Sequence, residues 1–146
     1  MIEARTVRNA AELDAALALR ERVFCGEQGV TISDEIDGRD GDATHLVAID
    51  DGSSVVGTCR LVGEDDEPAT IRLGRMAVAR DCRGQGVGSA LLDAAHAIAR
   101  AKGHTTVVLH AQMDARSLYE RAGYEPTGDV FMDAGIEHVT MVRSLA

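Results

Sequence analysis

Glycine occupies every second position in Gly84-Gln85-Gly86-Val87-Gly88, with Arg83 before the run and Ser89 after it. Backbone without Cβ atoms lets a phosphate come close to the main chain. Val87, Ala90, Leu91, Ala94, Ala95 and Ile98 repeat at the spacing of an amphipathic helix, so the glycines open a helix whose first-turn N–H groups lack intrahelical partners. The helix dipole adds about half a positive charge at that end. Three glycines are more than a strand-to-helix turn needs, and each inside a helix costs roughly 1 kcal/mol against Ala. The pattern predicts a phosphate site. A nucleoside-triphosphate loop would need a lysine that is not there, and a dinucleotide loop would need glycine where Ser89 stands.

The charge pattern points the same way. The chain carries a net charge of −9, and Lys102 is its single lysine. Such a surface argues against nucleic-acid and anionic-membrane partners, which both require a positive field. Against that background Arg72, Arg75, Arg80 and Arg83 face Asp81 alone in one short window, a positive island suited to a polyanion. His45, His96, His104, His110 and His138 show no ligand spacing, so no metal is expected. Cys25, Cys59 and Cys82 form no CxxC pair and fit a reducing compartment, and the N-terminus has no signal-peptide pattern, so a cytoplasmic protein is expected.

The elements that must position these residues follow from periodicity. Ile2 to Arg8 alternates as a strand; Asn9 and Glu12 form a capping pair for a helix running to about Val23, with Leu13, Ala16, Leu17, Val23 and Phe24 on its apolar stripe. Cys25 to Thr44 reads as a loop with one short helix. His45–Ile49 and Val55–Val62 form a hairpin around Asp50-Asp51-Gly52, with the glycine expected to take the positive φ. A strand from Thr70 to Val78 precedes the glycine-rich helix, whose polar side is read as Ser89, Asp93, His96 and Arg100, and Gly103 ends it. A buried strand (Thr105 to Leu109), a short helix (about Asp114 to Arg121), and two strands turning at Asp133-Ala134-Gly135 complete the chain. The order is β-α-loop-β-β-β-α-β-α-β-β in a single domain, 1–146, a mixed α/β arrangement with helices packed on the sheet.

In that setting Arg83-Gly84-Gln85-Gly86-Val87-Gly88 resembles the acetyl-CoA signature [Q/R]-x-x-G-x-[G/A] of the GNAT N-acetyltransferases. The run Asp114-Ala115-Arg116-Ser117-Leu118-Tyr119-Glu120-Arg121-Ala122-Gly123-Tyr124 is similar to the segment of that family bearing its general-acid tyrosine. Val23-Phe24, Glu27-Gln28, Glu35-Ile36-Asp37-Gly38, His45, Ala111-Gln112 and the stretch Gly128 to Met141 resemble the ElaA/YjcF-like subgroup, so the resemblance covers nearly the whole chain. It implies a GNAT fold: a mixed, mostly antiparallel sheet of six to seven strands, about four helices and one splayed parallel strand pair. It also implies that acetyl-CoA binds to the backbone of Met76, Ala77 and Val78, to the loop Arg83 to Ser89, and to Gln112 and Arg116. Many relatives have Asn where Gln112 stands and Phe where Tyr124 stands.

The implied chemistry is direct attack of a primary amine on the thioester. A lysine-like amine, with a pKa of about 10.4, must first lose a proton, and the thiolate, near 8.5, gains from a donor. The resemblance makes Tyr119 that general acid; Glu27, His110 and His138 are each candidates for the base. Glu35, Asp37 and Asp40 stand as solvated loop charges or as the rim of the acceptor mouth. The acceptor is expected to be a small-molecule or peptide amine, and a homodimer fits the family. A non-catalytic acyl-CoA-binding module is the alternative.

Overall fold

Fourteen helical and extended segments follow one another in the computed structural model, which describes residues 1–146. They are β1 (Glu3–Thr6), α1 (Ala10–Arg20) with a π-helical continuation (Glu21–Glu27), α2 (Ile32–Glu35), β2 (Thr44–Ile49), β3 (Val55–Gly63) and β4 (Thr70–Val78). A 3₁₀ turn (Arg80–Cys82) leads to α3 (Val87–Ala101) and β5 (Thr106–Gln112). A second turn (Met113–Ala115) leads to α4 (Arg116–Arg121), then β6 (Glu125–Asp133) and β7 (Ile136–Ser144). The strands make one seven-stranded sheet in the order β1-β2-β3-β4-β5-β7-β6. Every pairing is antiparallel except β4 with β5. The expected element order and the splayed parallel pair are both present.

The core lies between α3 and the sheet. Leu46, Leu61, Leu73, Leu91, Leu109 and Met141 are fully buried there. Burying each is worth roughly 2 kcal/mol. Gly57 on β3 sets how closely α3 approaches, since a Cβ at that position would stand 2.6 Å from Val87 Cγ1. Gly88 does the same between α3 and α4, where a Cβ would meet Leu118 at 3.1 Å. That glycine therefore serves helix packing as well as the loop.

Several local expectations change. The first helix does not end at Val23; it widens into a π-turn, with Gln28 N–H donating to the Val23 carbonyl at 3.1 Å. The residues buried on α1 are Ala16, Leu19 and Arg20, while Leu13 and Leu17 are only half-buried. The stripe turns because Arg20 is drawn inward by carboxylates from the following loop. In the β2–β3 hairpin the positive φ falls on Ser53 (66°), not on Gly52. Asp50 Oδ1 accepts from the N–H groups of both Gly52 (3.0 Å) and Ser54 (2.9 Å), so the aspartate organises the turn and shifts its left-handed residue.

His96 departs furthest from expectation. It lies inside the protein, not on the polar side of α3. Arg143 donates to its Nδ1 at 2.6 Å, which leaves Nε2 as the N–H that donates to the Tyr124 hydroxyl at 2.7 Å. Burial, followed by the nearby Arg143 and Arg100, pushes its pKa down to about 4. The unfolded chain takes up the proton near pH 6.5 and the folded protein only near 4, so stability is full above 6.5 and is lost as pH falls through that window. His110, whose pKa is also held down, acts in the same direction. At about 1.4 kcal/mol per unit, less some solvent screening, His96 is worth on the order of 2 kcal/mol across the window. Urea unfolding at pH 7.0, 5.5 and 4.5 should show that loss in the wild type and a flatter dependence in His96→Gln. Equal slopes in the two proteins would remove His96 as the cause.

Candidate active site

Strands β4 and β5 pair only at Thr70–Thr106, Ile71–Val107 and Arg72–Val108. Beyond those residues the two strands diverge. β5 stays bonded to β7 as far as Gln112–His138, and β4 stays bonded to β3 as far as Val78–Gly57. Between Gly74 and Ala77 the β4 strand carries one residue more than its β3 partner, a bulge that puts Arg75 in the left-handed region at φ 52°. A conformation of that kind costs a non-glycine residue roughly 1 kcal/mol. The Arg75 guanidinium is tied down in compensation, donating to the Glu35 carbonyl at 2.8 Å.

The gap opens into a cavity of about 1000 Å³. Its walls include Met76, Ala77 and Val78 of β4, the loop residues Arg83, Gly84 and Gly86, the start of α3 (Val87, Gly88, Ser89), Gln112, Tyr119, His110 and His138. The structure therefore brings most of the expected residues together. Gln85, Glu27 and Arg116 are not among the lining residues. Gln85 turns back to the Asp81 carbonyl at 3.2 Å, and Arg116 faces Glu120 at 3.5 Å on its own helix.

The glycine loop has the form of an anion site. Gly84 and Gly86 have φ of 75° and 83°, and Gly86 is the N-cap of α3 without any side-chain cap. None of the main-chain N–H groups from Gly84 through Ser89 has a protein partner. They join the positive end of a 15-residue helix. The arginines are less free than the sequence suggests. Arg72 is held by Glu64 at 2.6 Å, Arg75 by the α2 loop, and Arg83 by Glu27 at 2.8 Å and the Val78 carbonyl at 3.1 Å. Of the expected positive island, only Arg80 has no carboxylate partner. The free positive potential comes from amides more than from side chains.

Glu35 is buried, Asp37 and Asp40 are partly exposed, and all three are held in ion pairs. Glu35 Oε1 receives Arg20 Nε at 2.7 Å, Asp40 receives Arg20 at 2.8 Å and Arg60 at 2.9 Å, and Asp37 binds Arg60 and Arg75. Arg60 holds the Asp37 carboxyl well below the usual range. This network fastens the segment after α1 to β3 and β4, where it forms one wall of the cavity. Across the opening, Gln28 at the end of the π-turn and Gln112 at the end of β5 exchange amide hydrogen bonds of 2.8 and 3.3 Å.

Tyr119 on α4 is 6% exposed and packs edge-on against Tyr124, with ring centroids 5.9 Å apart. Its hydroxyl has no protein partner. No fully buried side-chain polar atom in the protein is left unpartnered, so that oxygen opens on the cavity. Burial pushes its pKa up, and at neutral pH it is a hydrogen-bond donor. His110 and His138 share one face of the β5–β7 ladder, with Phe131 of β6 against both rings. Arg72 donates to His110 Nε2 at 2.8 Å. His138 Nδ1 lies 2.7 Å from the Ile136 carbonyl. Gln28 enters the sequence reading only through the family resemblance, with no role assigned, and the bulge at Arg75 is not foreseen there. The spacing of Gln28 from Glu27 carries no signal of its own, and a left-handed arginine leaves none.

A seven-stranded mixed sheet, splayed at its one parallel pair, opens on an uncapped helix N-terminus. Residues 20–145 match the family described as "Acetyltransferase (GNAT) domain". The uncharacterized N-acetyltransferase YjcF of Bacillus subtilis (strain 168) is 32% identical over 143 residues, which is 97% of this chain and 99% of that protein. The crystal structure of Escherichia coli ElaA superposes with a TM-score of 0.85 at 29% identity, covering 98% of this chain and 99% of that one. An acyl-CoA N-acyltransferase from Pseudomonas aeruginosa superposes with a TM-score of 0.81 at 32% identity, covering 98% of each chain. The chain belongs to the GNAT acetyltransferase family. No helix is long and apolar enough to cross a membrane.

The buried ion network gives a test of what holds the cavity wall. Glu35→Gln leaves Arg20 with Asp40 alone. Removing one partner of a buried pair costs about 3–5 kcal/mol when the remaining charge is stranded. With Asp40 retained, a loss of about 2 kcal/mol is expected in urea unfolding. An unaltered midpoint would show that this wall is held by something else.

Proposed function

We propose that this protein transfers an acetyl group from acetyl-CoA to a primary amine by direct attack on the thioester. The observation that carries the reading is the unbroken run of unpartnered N–H groups from Gly84 through Ser89 at the start of α3. A diphosphate is the ligand such a run suits, since each amide supplies a charge-assisted hydrogen bond to phosphate oxygen. Coenzyme A carries about four negative charges, two of them on a diphosphate bridge. Arg83 lies beside the loop, and Ser89 follows in the first helical turn. From there the pantetheine arm, itself a pair of amides, would run between β4 and β5 with Met76, Ala77 and Val78 on one side and Gln112 on the other. Both strands have unpaired edges in that stretch, the condition for adding an extended ligand as a strand.

The thioester would then sit beside the bulge. A main-chain N–H of β4 aimed at the developing oxyanion is worth about 3–4 kcal/mol in enzymes of comparable design. Tyr119 stands ready to donate to the departing sulfur. With its pKa raised by burial, full transfer of its proton runs further uphill than for an ordinary tyrosine, which favours a strong hydrogen bond to the thiolate. The acceptor, a small amine or a peptide amine, would enter from the side of the α2 segment and the β6–β7 turn, where Asp34 and Asp133 line the opening.

Calorimetry with acetyl-CoA tests the loop, and release of free thiol in the presence of amines tests catalysis. Tight binding without thiol release would leave a binding module in place of an enzyme. Gly86→Val forces a β-branched residue to φ 83° and fills the space in front of the amides, so acetyl-CoA affinity should fall at least tenfold. Tyr119→Phe should lower kcat at least tenfold with acetyl-CoA affinity intact; normal turnover removes the hydroxyl from the mechanism.

A further inference from the structure

The surroundings of the three candidate bases, Glu27, His110 and His138, separate them. Glu27 is outside the lining and is engaged by Arg83 at 2.8 Å. His110 lines the cavity, but the Arg72 cation lies against its ring, with Nη1 2.8 Å from Nε2, so a proton taken up by His110 would meet a like charge. Its other nitrogen lies 3.3 Å from the same guanidinium. His138 is arranged the opposite way. The Ile136 carbonyl, 2.7 Å from Nδ1, can only accept, so Nδ1 carries the hydrogen and Nε2 carries the free lone pair. That Nε2 has no protein partner, and as no fully buried polar atom is unpartnered, it opens on the cavity that His138 lines. The ring is held from the side by Phe131, stacked with centroids 5.8 Å apart and planes at 23°.

Resting on the acetyltransferase reading above, we propose that His138 Nε2 is the base that deprotonates the acceptor amine, directly or through one water, with the Ile136 carbonyl and Phe131 as its positioning groups. One ammonium proton moves to Nε2, and the freed nitrogen pair attacks the thioester carbon. The tetrahedral intermediate breaks its C–S bond and loses a second nitrogen proton. That proton restores whatever Tyr119 gives to the sulfur, and the proton on His138 passes to solvent. The balance is amide, free thiol and one released proton. The charged groups sharing this face are His110 on β5, Arg72 on β4, Glu64 before it and Asp133 at the end of β6.

The test is the pH dependence of thiol release with acetyl-CoA and a panel of spermidine, tyramine, glucosamine and a lysine-bearing peptide. General-base catalysis is worth about 10²–10⁴-fold. His138→Gln should therefore lose at least thirtyfold in kcat at pH 7. The deficit should shrink to a few-fold at pH 10, where the amine deprotonates unaided, and imidazole should partly rescue His138→Ala. Calorimetric affinity for acetyl-CoA should be unaltered in both. A deficit of constant size at every pH marks a merely structural role and overturns the proposal, as does a wild-type profile in His138→Gln. Absence of acetyl-CoA binding in the wild type defeats the acetyltransferase reading instead. Should none of these amines react, ¹⁵N-histidine spectra of the wild type, assigned with His138→Gln, decide the matter: an unprotonated Nε2 at neutral pH supports the base, and an Nε2–H tautomer overturns it.

Discussion

Three residue pairs join β4 to β5, and the site depends on where that pairing stops. The gap is not left to fluctuation, because each strand is committed elsewhere. β5 keeps its full ladder with β7 to Gln112, and β4 keeps its ladder with β3 to Val78, so the strands cannot close on one another without breaking bonds on their outer sides. The bulge at Arg75 adds curvature to β4 just past the last parallel pair. A left-handed arginine is an unfavourable way to build a bulge. Here its long side chain compensates by reaching the carbonyls of Asp34 and Glu35 and the carboxylate of Asp37. The bend that opens the cavity and the segment that walls it are thus held by the same side chain.

That wall explains the arrangement of charge. Arg20, Arg60 and Arg75 take up Glu35, Asp37 and Asp40 in a network of low exposure, and the result is rigidity with little net charge. Buried pairs of this kind give weak stabilisation relative to an apolar core of equal volume. What they provide is register: the loop after α1 has few buried apolar side chains of its own, and its path over β3 and β4 follows from which carboxylate meets which guanidinium. Ile32 and Ile36, which would anchor such a segment in most proteins, are both exposed.

The features legible in the sequence are those written in local pattern. The period of α3, the hairpin at Asp50, the glycine loop and the Ala134-Gly135 turn each depend on residues adjacent in the chain, and each stands where expected. The misreadings share one cause, side chains whose partners are distant in sequence. His96 looked like a surface residue because its helical position is polar by period; its partners Tyr124 and Arg143 lie on later elements. Glu35 looked like a loop charge for the same reason, since its partner Arg20 lies on α1. The three candidate bases were indistinguishable as residue types. Only the group each one touches separates them, Arg72 for His110, Arg83 for Glu27 and the Ile136 carbonyl for His138.

An acidic protein that binds a polyanion must generate local attraction against its own field. Side-chain cations do this poorly here, since Arg72, Arg75 and Arg83 already answer the carboxylates of the chain and Arg80 alone does not. Amide dipoles escape that competition: they carry no net charge, do not titrate, and their direction is set by the αL glycines and the helix that follows. Arg83 is the one side chain that joins them at the loop, and it is shared with Glu27, 28% exposed on the π-turn. A diphosphate on the amides would compete with that carboxylate for the guanidinium and carries more charge. The π-widening of the first helix, which brings Glu27 to Arg83 and Gln28 to Gln112, therefore ties that helix both to the glycine loop and to the end of β5.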